Sequence, residues 1–277
     1  MKRDDCVYTF FLVSATILSA IGSSGFSGST SPRGTAIAPE ITESQKRNAR
    51  KILNLVYGDE KSDQWEARRI QARASGEDDP TLLSVPPHEL VYGELGLDAL
   101  VTILDAVGVE KNDCFMDIGS GDGLLVSAAS MLYSDFLTAS MGVEIVPDLY
   151  QRSLTFQRRL ESMIADDDNI ELCESMSFNF GNVYEPDEQT RYLFSQTTIA
   201  LCFATTWSNK GVAGRKLPRL SEALGTKGQC ELPTGARLVI IDGVLDHEKD
   251  GYDFGGQFEL FCPDTAPFSI ARLYTKL

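Results

Sequence analysis

The residues best suited to chemistry lie in one run, Phe115-Met-Asp-Ile-Gly-Ser-Gly-Asp-Gly123. An apolar stretch ends in Asp117, and glycines at 119, 121 and 123 then open a helical segment. Glycine lets the backbone turn sharply and approach a ligand at the carboxyl end of a first strand, where open α/β sheets bind nucleotide-like molecules. After the next helical stretch, Met141-Gly-Val-Glu144 places a carboxylate at the end of a second strand, where it can accept both hydroxyls of a ribose. A dinucleotide dehydrogenase also carries a glycine turn, but three details point elsewhere. The spacing is Gly-x-Gly-x-Gly and not Gly-x-Gly-x-x-Gly, Asp117 precedes the glycines and would repel a pyrophosphate, and Asp122 sits inside the loop. So acidic a loop suits a cationic ligand.

These residues need a scaffold, and the hydrophobic pattern supplies one. Helical spacing at Leu97–Val107 leads to an apolar run at Cys114–Ile118, a helix over 123–133, a run at Ala139–Val143 and a helix over 147–164. Runs of β type follow at about 171–178, 197–203 and 237–241. Strands alternating with helices predict βαβ units, a mostly parallel sheet covered on both faces. Phe258–Phe261 and Ser269–Thr275, separated by Cys-Pro-Asp-Thr-Ala-Pro, read as antiparallel strands closing one edge. Upstream, Thr42-x-x-Gln45 matches a capping box, and Ile52, Leu53, Leu55 and Val56 give an apolar face to a helix over 42–57 that stops at Gly58. Its basic face of Lys46, Arg47, Arg50 and Lys51 is read as solvated. A second helix is expected around 62–74, and Pro86-Pro87 imposes an extended entry to residues 88–94. The expected organisation is a signal-like segment with a Gly/Ser/Pro-rich linker over 1–39, a helical preface over 40–87 and one domain over 88–277.

Composition narrows the function. The chain has 277 residues, enough apolar content at 43% for a packed core, and 25 Lys and Arg against 40 Asp and Glu, a net charge of −15. Residues 1–40 hold three basic and three acidic side chains, so the excess belongs to 41–277. A field of that sign disfavours phosphate backbones and anionic lipid and draws basic peptides. Direct nucleic-acid binding is not expected. The six cysteines are spread singly, without a Cys-x-x-Cys pair, and only His88 and His247 could join them, so no structural metal and no disulfide framework are expected. Residues 7–21 are uncharged and apolar, follow Lys2 and Arg3, and precede a small-residue stretch, the pattern of a signal peptide's apolar region. That run of 15 residues is short of the ~20 a spanning helix needs. The readings left open are a secretory or organellar destination, such as a plastid, without stable membrane association after processing, or a nuclear one if the segment is not a working signal.

S-adenosylmethionine carries a sulfonium and an ammonium and no phosphate, and strand-Asp-x-Gly-x-Gly-x-Gly, helix, strand-Glu resembles the first two motifs of the class I methyltransferases that use it. Two further pieces narrow the resemblance: Val91-Tyr-Gly-Glu-Leu95 before the first strand, and Gly181-Asn-Val-Tyr184 after the third. Together with Gly-Val-Glu-Ile-x-Pro at 142–147 they resemble the catalytic domain of the Dot-one (disruptor of telomeric silencing) histone lysine methyltransferases, over residues 88–183 closely and 184–277 in outline. The resemblance implies a Rossmann-like α/β fold with a seven-stranded sheet. It implies that Tyr92, Gly93 and Glu94 form a loop over the methionine moiety, that Asp117, Gly119, Ser120, Gly121 and Gly123 cradle the cofactor, that Glu144 holds the ribose, and that Asn182 and Val183 meet the adenine. Its partner would be a basic protein or peptide such as a histone. Two stretches depart from the family. Where it places an Asn-Asn-Phe type segment after the fourth strand, this chain reads Leu201-Cys-Phe-Ala-Thr-Thr-Trp207, which makes Thr205, Thr206 and Trp207 the candidate acceptor pocket. Where it has a tandem tyrosine, this chain has Ser269-Ile-Ala-Arg-Leu-Tyr274. A small-molecule or non-histone protein methyltransferase on the same fold, and a non-catalytic cofactor-binding scaffold, stay open as alternatives.

Overall fold

The computed structural model describes residues 39–58, 85, 90, 95–165, 170–205, 207, 215–262 and 266–277. The signal-like segment, the helix expected around 62–74, the Tyr92-Gly93-Glu94 loop and Thr206 lie outside the described residues. The first helix, α1 (Glu43–Tyr57), starts as its sequence dictates: the Thr42 side chain accepts from the Gln45 N–H, and the Gln45 side chain accepts in return from the Thr42 N–H. Its apolar side, Ala49, Ile52, Leu53, Val56 and Tyr57, enters the same core as α2 (Leu97–Val107), which ends on Gly108 in a left-handed conformation. On the basic side of α1, Lys46 pairs with Glu43 and Arg50 with Asp98.

The sheet then builds by alternation: β1 (Asp113–Ile118), α3 (Leu124–Leu132), β2 (Leu137–Glu144), α4 (Pro147–Ala165), β3 (Ser175–Phe180), α5 (Glu188–Gln196), β4 (Ile199–Phe203), α6 (Pro218–Leu224) and β5 (Arg237–Ile241). After the short α7 (His247–Asp250) come β6 (Tyr252–Cys262) and β7 (Ala266–Lys276). The strand order is β3-β2-β1-β4-β5-β7-β6, parallel from β3 to β5, with β7 antiparallel to both of its neighbours. Arg215–Lys216 and Gly243–Val244 form a separate two-residue ladder. This is the seven-stranded, mostly parallel sheet with an antiparallel edge that the alternation and the resemblance lead one to expect. The central strands β1, β4 and β5 are buried almost throughout, which is why they read as continuous apolar runs.

Besides the four-residue α7, two helices were not anticipated. In α5 only Thr190, Leu193 and Phe194 are buried, too few for a clear apolar stripe, although Asp187 caps it by accepting from the Thr190 N–H. The other, α6, is seven residues long and begins at Pro218, so it never completes an apolar repeat. At the amino ends of the strands, Asp113 acts as a buried hub. Its carboxylate pairs with Arg237 and accepts from Thr198 Oγ1 at 2.7 Å and from the Glu110 N–H at 2.6 Å, tying β1, β4 and β5 together. Among the described residues no helix is long and apolar enough to cross a membrane, and Cys114, Cys173 and Cys230 are free thiols.

Candidate active site

Register sets the site. Asp117 lies opposite Gly142 on β2 and Leu201 on β4, one residue before β1 ends. The chain then folds back across β2, where the Gly119 and Ser120 N–H groups both donate to the Val143 carbonyl, at 2.8 and 3.1 Å. Gly119, Gly121 and Gly123 have φ of 78, 57 and 91°, the left-handed region that glycine enters without steric cost. Gly123 caps α3, and a β-carbon there would lie 2.5 Å from the Phe178 ring. Sequence reasoning missed Gly142. A β-carbon on it would stand 2.6 Å from Ser120 Oγ and 2.7 Å from Ser120 Cβ, so the loop can lie down on β2 only because that position is bare. The available signal was a glycine inside an otherwise apolar strand, which marks close approach of another backbone.

Glu144 closes the loop from the other side. One of its carboxylate oxygens accepts from the Gly121 N–H and the other from the Val146 N–H, both at 2.7 Å. The carboxylate expected to meet a ribose thus also fixes the glycine turn, and its remaining lone pairs are what it offers a ligand. Asp122, in the same loop, is fully buried and faces Arg152 at 3.8 Å. Asp117 is 3% exposed, with no hydrogen bond from the described residues to offset its burial. Burial, and after it the neighbouring Glu144 charge, pushes the Asp117 carboxyl well above the ordinary carboxylate range. Burial also raises Glu144, while its bonds to the Val146 and Gly121 N–H groups pull the other way.

Beyond the loop, the exit of β3 carries Asn182, whose side chain accepts from the Tyr184 N–H at 2.9 Å and so shapes the turn, and Val183, which is buried. The exit of β4 turns at Ala204, whose carbonyl accepts from the Trp207 N–H, and Trp207 reaches back over the glycine loop: a β-carbon on Gly119 would lie 3.3 Å from Trp207 Cζ2. Thr205 donates its hydroxyl to Asp242. Ile118, Gly119, Val143, Asn182, Val183, Tyr184 and Trp207 line a small, mostly apolar cleft. Tyr274 lies elsewhere. It pairs with Leu238 near the start of β5, is 1% exposed, and packs against Tyr252 and Phe254. A wider groove beside α6 and α7 mixes Arg219, Lys227 and Lys249 with Glu185, Glu222, Glu248 and Asp250, so its charges nearly balance, unlike those at the glycine loop.

Residues 86–178, about a third of the chain, match the family model described as histone methylation protein DOT1. Over that segment the chain resembles the Dot-one family. Similar solved structures include an RNA methyltransferase from Salinibacter ruber in complex with S-adenosyl-L-homocysteine, at 19% identity over 66% of this chain and 94% of that one, TM-score 0.42. They also include an S-adenosylmethionine-dependent methyltransferase from Aquifex aeolicus (10% identity, 74% and 98% coverage, TM-score 0.44) and the magnesium protoporphyrin IX methyltransferase of Synechocystis with bound S-adenosylmethionine (11%, 86% and 100%, 0.44). Comparison with curated proteins gave no match.

The residues of this site fit S-adenosylmethionine. Three buried acids with one nearby arginine can balance a sulfonium and an ammonium by ionising as the cation binds, and the bare glycines admit close approach. A pH dependence follows. A carboxyl raised in the folded state keeps its proton where the unfolded chain has lost its own, so the stability it contributes is present below the ordinary values of 3.8 and 4.5 and is lost as pH rises through the raised ones. A bound cation favours the ionised acids. Cofactor binding is therefore expected to release protons and to tighten with rising pH across that window, as calorimetry in buffers of different ionisation enthalpy would read; proton uptake would contradict it.

Proposed function

We propose that the domain methylates a protein lysine in the manner of the Dot-like enzymes, on a basic protein or peptide drawn by the acidic body. The acid-rich glycine loop within the matched 86–178 segment carries this reading. When bound, the cofactor supplies an electrophilic methyl carbon: the acceptor's lone pair makes the new bond, the carbon–sulfur pair stays on sulfur, and the acceptor's surplus proton passes to water. The chain's own task is alignment and exclusion of water. Asp117 and the 119–123 loop hold the methionine end together with Tyr92, Gly93 and Glu94, Glu144 takes the ribose hydroxyls, and Asn182 and Val183 border the adenine. Trp207 covers the loop, and Thr205, Thr206 and Trp207 face the acceptor, whose alkylammonium precursor suits an aromatic surface.

A second reading, a non-histone protein or a small molecule as acceptor, is favoured by the β4 exit, where threonines stand in place of asparagine, and by Tyr274, which is committed to the core. Calorimetric titration of the full chain with S-adenosylmethionine and NAD, followed by tritiated methyl transfer to core histones and to a cell extract, separates the readings. Label in a histone band is the expected result, label elsewhere supports the second reading, and cofactor binding without transfer to any acceptor would indicate a scaffold. Binding of NAD alone would overturn the cofactor assignment.

A further inference from the structure

We propose that Asp242 sets the polarity of the acceptor pocket by holding the Thr205 hydroxyl in one orientation, so that the group to be methylated must present an N–H or O–H hydrogen. The inference rests on the methyltransferase reading of the site and goes beyond it by naming a positioning residue and a restriction on the acceptor. Asp242 directly follows β5, at the carboxyl edge of the sheet. Its φ is +60°, and of the three described non-glycine residues with positive φ it is the buried one, at 6% exposure, whereas Asn112 and Lys227 are exposed. Side chains rarely adopt this backbone, and aspartate and asparagine bear it best. What holds it there is a clasp across three strands. The Asp242 N–H donates to the Ile270 carbonyl at 2.9 Å, one carboxylate oxygen accepts from the Ile270 N–H at 2.8 Å, and the other accepts from Thr205 Oγ1 at 2.7 Å.

The last bond has a direction. A carboxylate oxygen only accepts, so the single hydroxyl hydrogen of Thr205, a half-buried residue, is committed to Asp242, and the hydroxyl oxygen is left with lone pairs to offer whatever enters. Thr205 lies in the turn that brings Trp207, a residue of the cleft wall, against Gly119. A neutral amine meets this geometry well: one N–H points at Thr205 while the lone pair stays free to attack. A carboxylate or an unprotonated ring nitrogen would set lone pair against lone pair.

The test uses two cofactor analogues and needs no known acceptor. Sinefungin carries a carbon-bound ammonium where the cofactor has its sulfonium methyl, so it presents N–H groups toward the acceptor side, whereas S-adenosylhomocysteine presents none. Their affinities are compared by calorimetry in the full chain. Thr205→Val and Asp242→Asn are each expected to lower the ratio of sinefungin to S-adenosylhomocysteine affinity roughly tenfold, the scale of one charge-assisted hydrogen bond. The asparagine keeps the left-handed backbone and the Ile270 contact but turns an N–H toward Thr205, which reverses the hydroxyl. The double variant should lose no more than either single one, and Thr205→Ser should retain the ratio. An unchanged ratio in Thr205→Val, with both analogues bound, overturns the proposal, as do losses that simply add. If the wild-type chain binds neither analogue, the cofactor reading fails and this inference with it.

Discussion

Glu144→Ala is expected to weaken S-adenosylmethionine binding roughly a hundredfold, the loss of two hydrogen bonds to a carboxylate, and to destabilise the fold at the same time. The sequence alone suggests a side chain whose only business is a ribose. In the structure the same carboxylate accepts from the Gly121 and Val146 N–H groups inside the protein. Alanine leaves both donors buried and unpaired, at about 1–3 kcal/mol each, so the thermal midpoint should fall by roughly 10 °C in a domain of this size. Glu144→Gln keeps one acceptor oxygen and should lose less stability while still binding the cofactor poorly. Thermal unfolding and calorimetry on the two variants separate the roles, and an alanine variant with undiminished affinity would remove Glu144 from the site.

Gly142→Val should be as damaging for a different reason. Gly142 has ordinary strand geometry, so the difficulty is space: a β-carbon would meet Ser120 at 2.6–2.7 Å and the Phe178 ring at 2.9 Å. Overpacking of this kind costs about 1–3 kcal/mol or more, and here the group pushed aside is the cofactor loop itself. Valine should therefore abolish S-adenosylmethionine binding and lower the unfolding midpoint. The partner change is specific. Ser120 Oγ is buried without a hydrogen-bond partner among the described residues, so removing it sacrifices no bond there, and Ser120→Gly combined with Gly142→Ala should be more stable than Gly142→Ala alone. Simple addition of the two single effects would show that Ser120 is not the obstacle.

The sheet was legible because burial on both faces writes itself as apolar runs; β1, β4 and β5 lie within a few residues of where those runs stand. The capping box at Thr42 and Gln45 was legible because its partners are three residues apart. Edges were harder. The apolar pattern marked only Phe258–Phe261 of β6, which runs from Tyr252, because Gly255 and Gly256 interrupt it and Gly256 sits at φ +128° beside a register shift. In the site, the glycines and Glu144 announced themselves by type and spacing. Their mutual support did not, since the Gly121 to Glu144 bond spans 23 residues and the fit of Ser120 over Gly142 exists only once β1 and β2 pair. Asp242 was hidden for the same reason: its partners, Thr205 and Ile270, are 37 and 28 residues away.

The strand order also constrains how the chain reaches this state. β7 follows β6 in sequence but stands between β5 and β6, so β6 has no edge to join until β7 is in place. The two long strands are joined by only three residues, and such a hairpin closes in about 1–10 μs, well before distant strands find one another. Assembly is therefore expected to bring β6 and β7 to β5 as a finished pair, with Asp242 and Ile270 meeting in that docking step. Until it occurs the apolar edge of β5 is open to other strands, and the interval between hairpin closure and docking is when the folding protein is most exposed to aggregation.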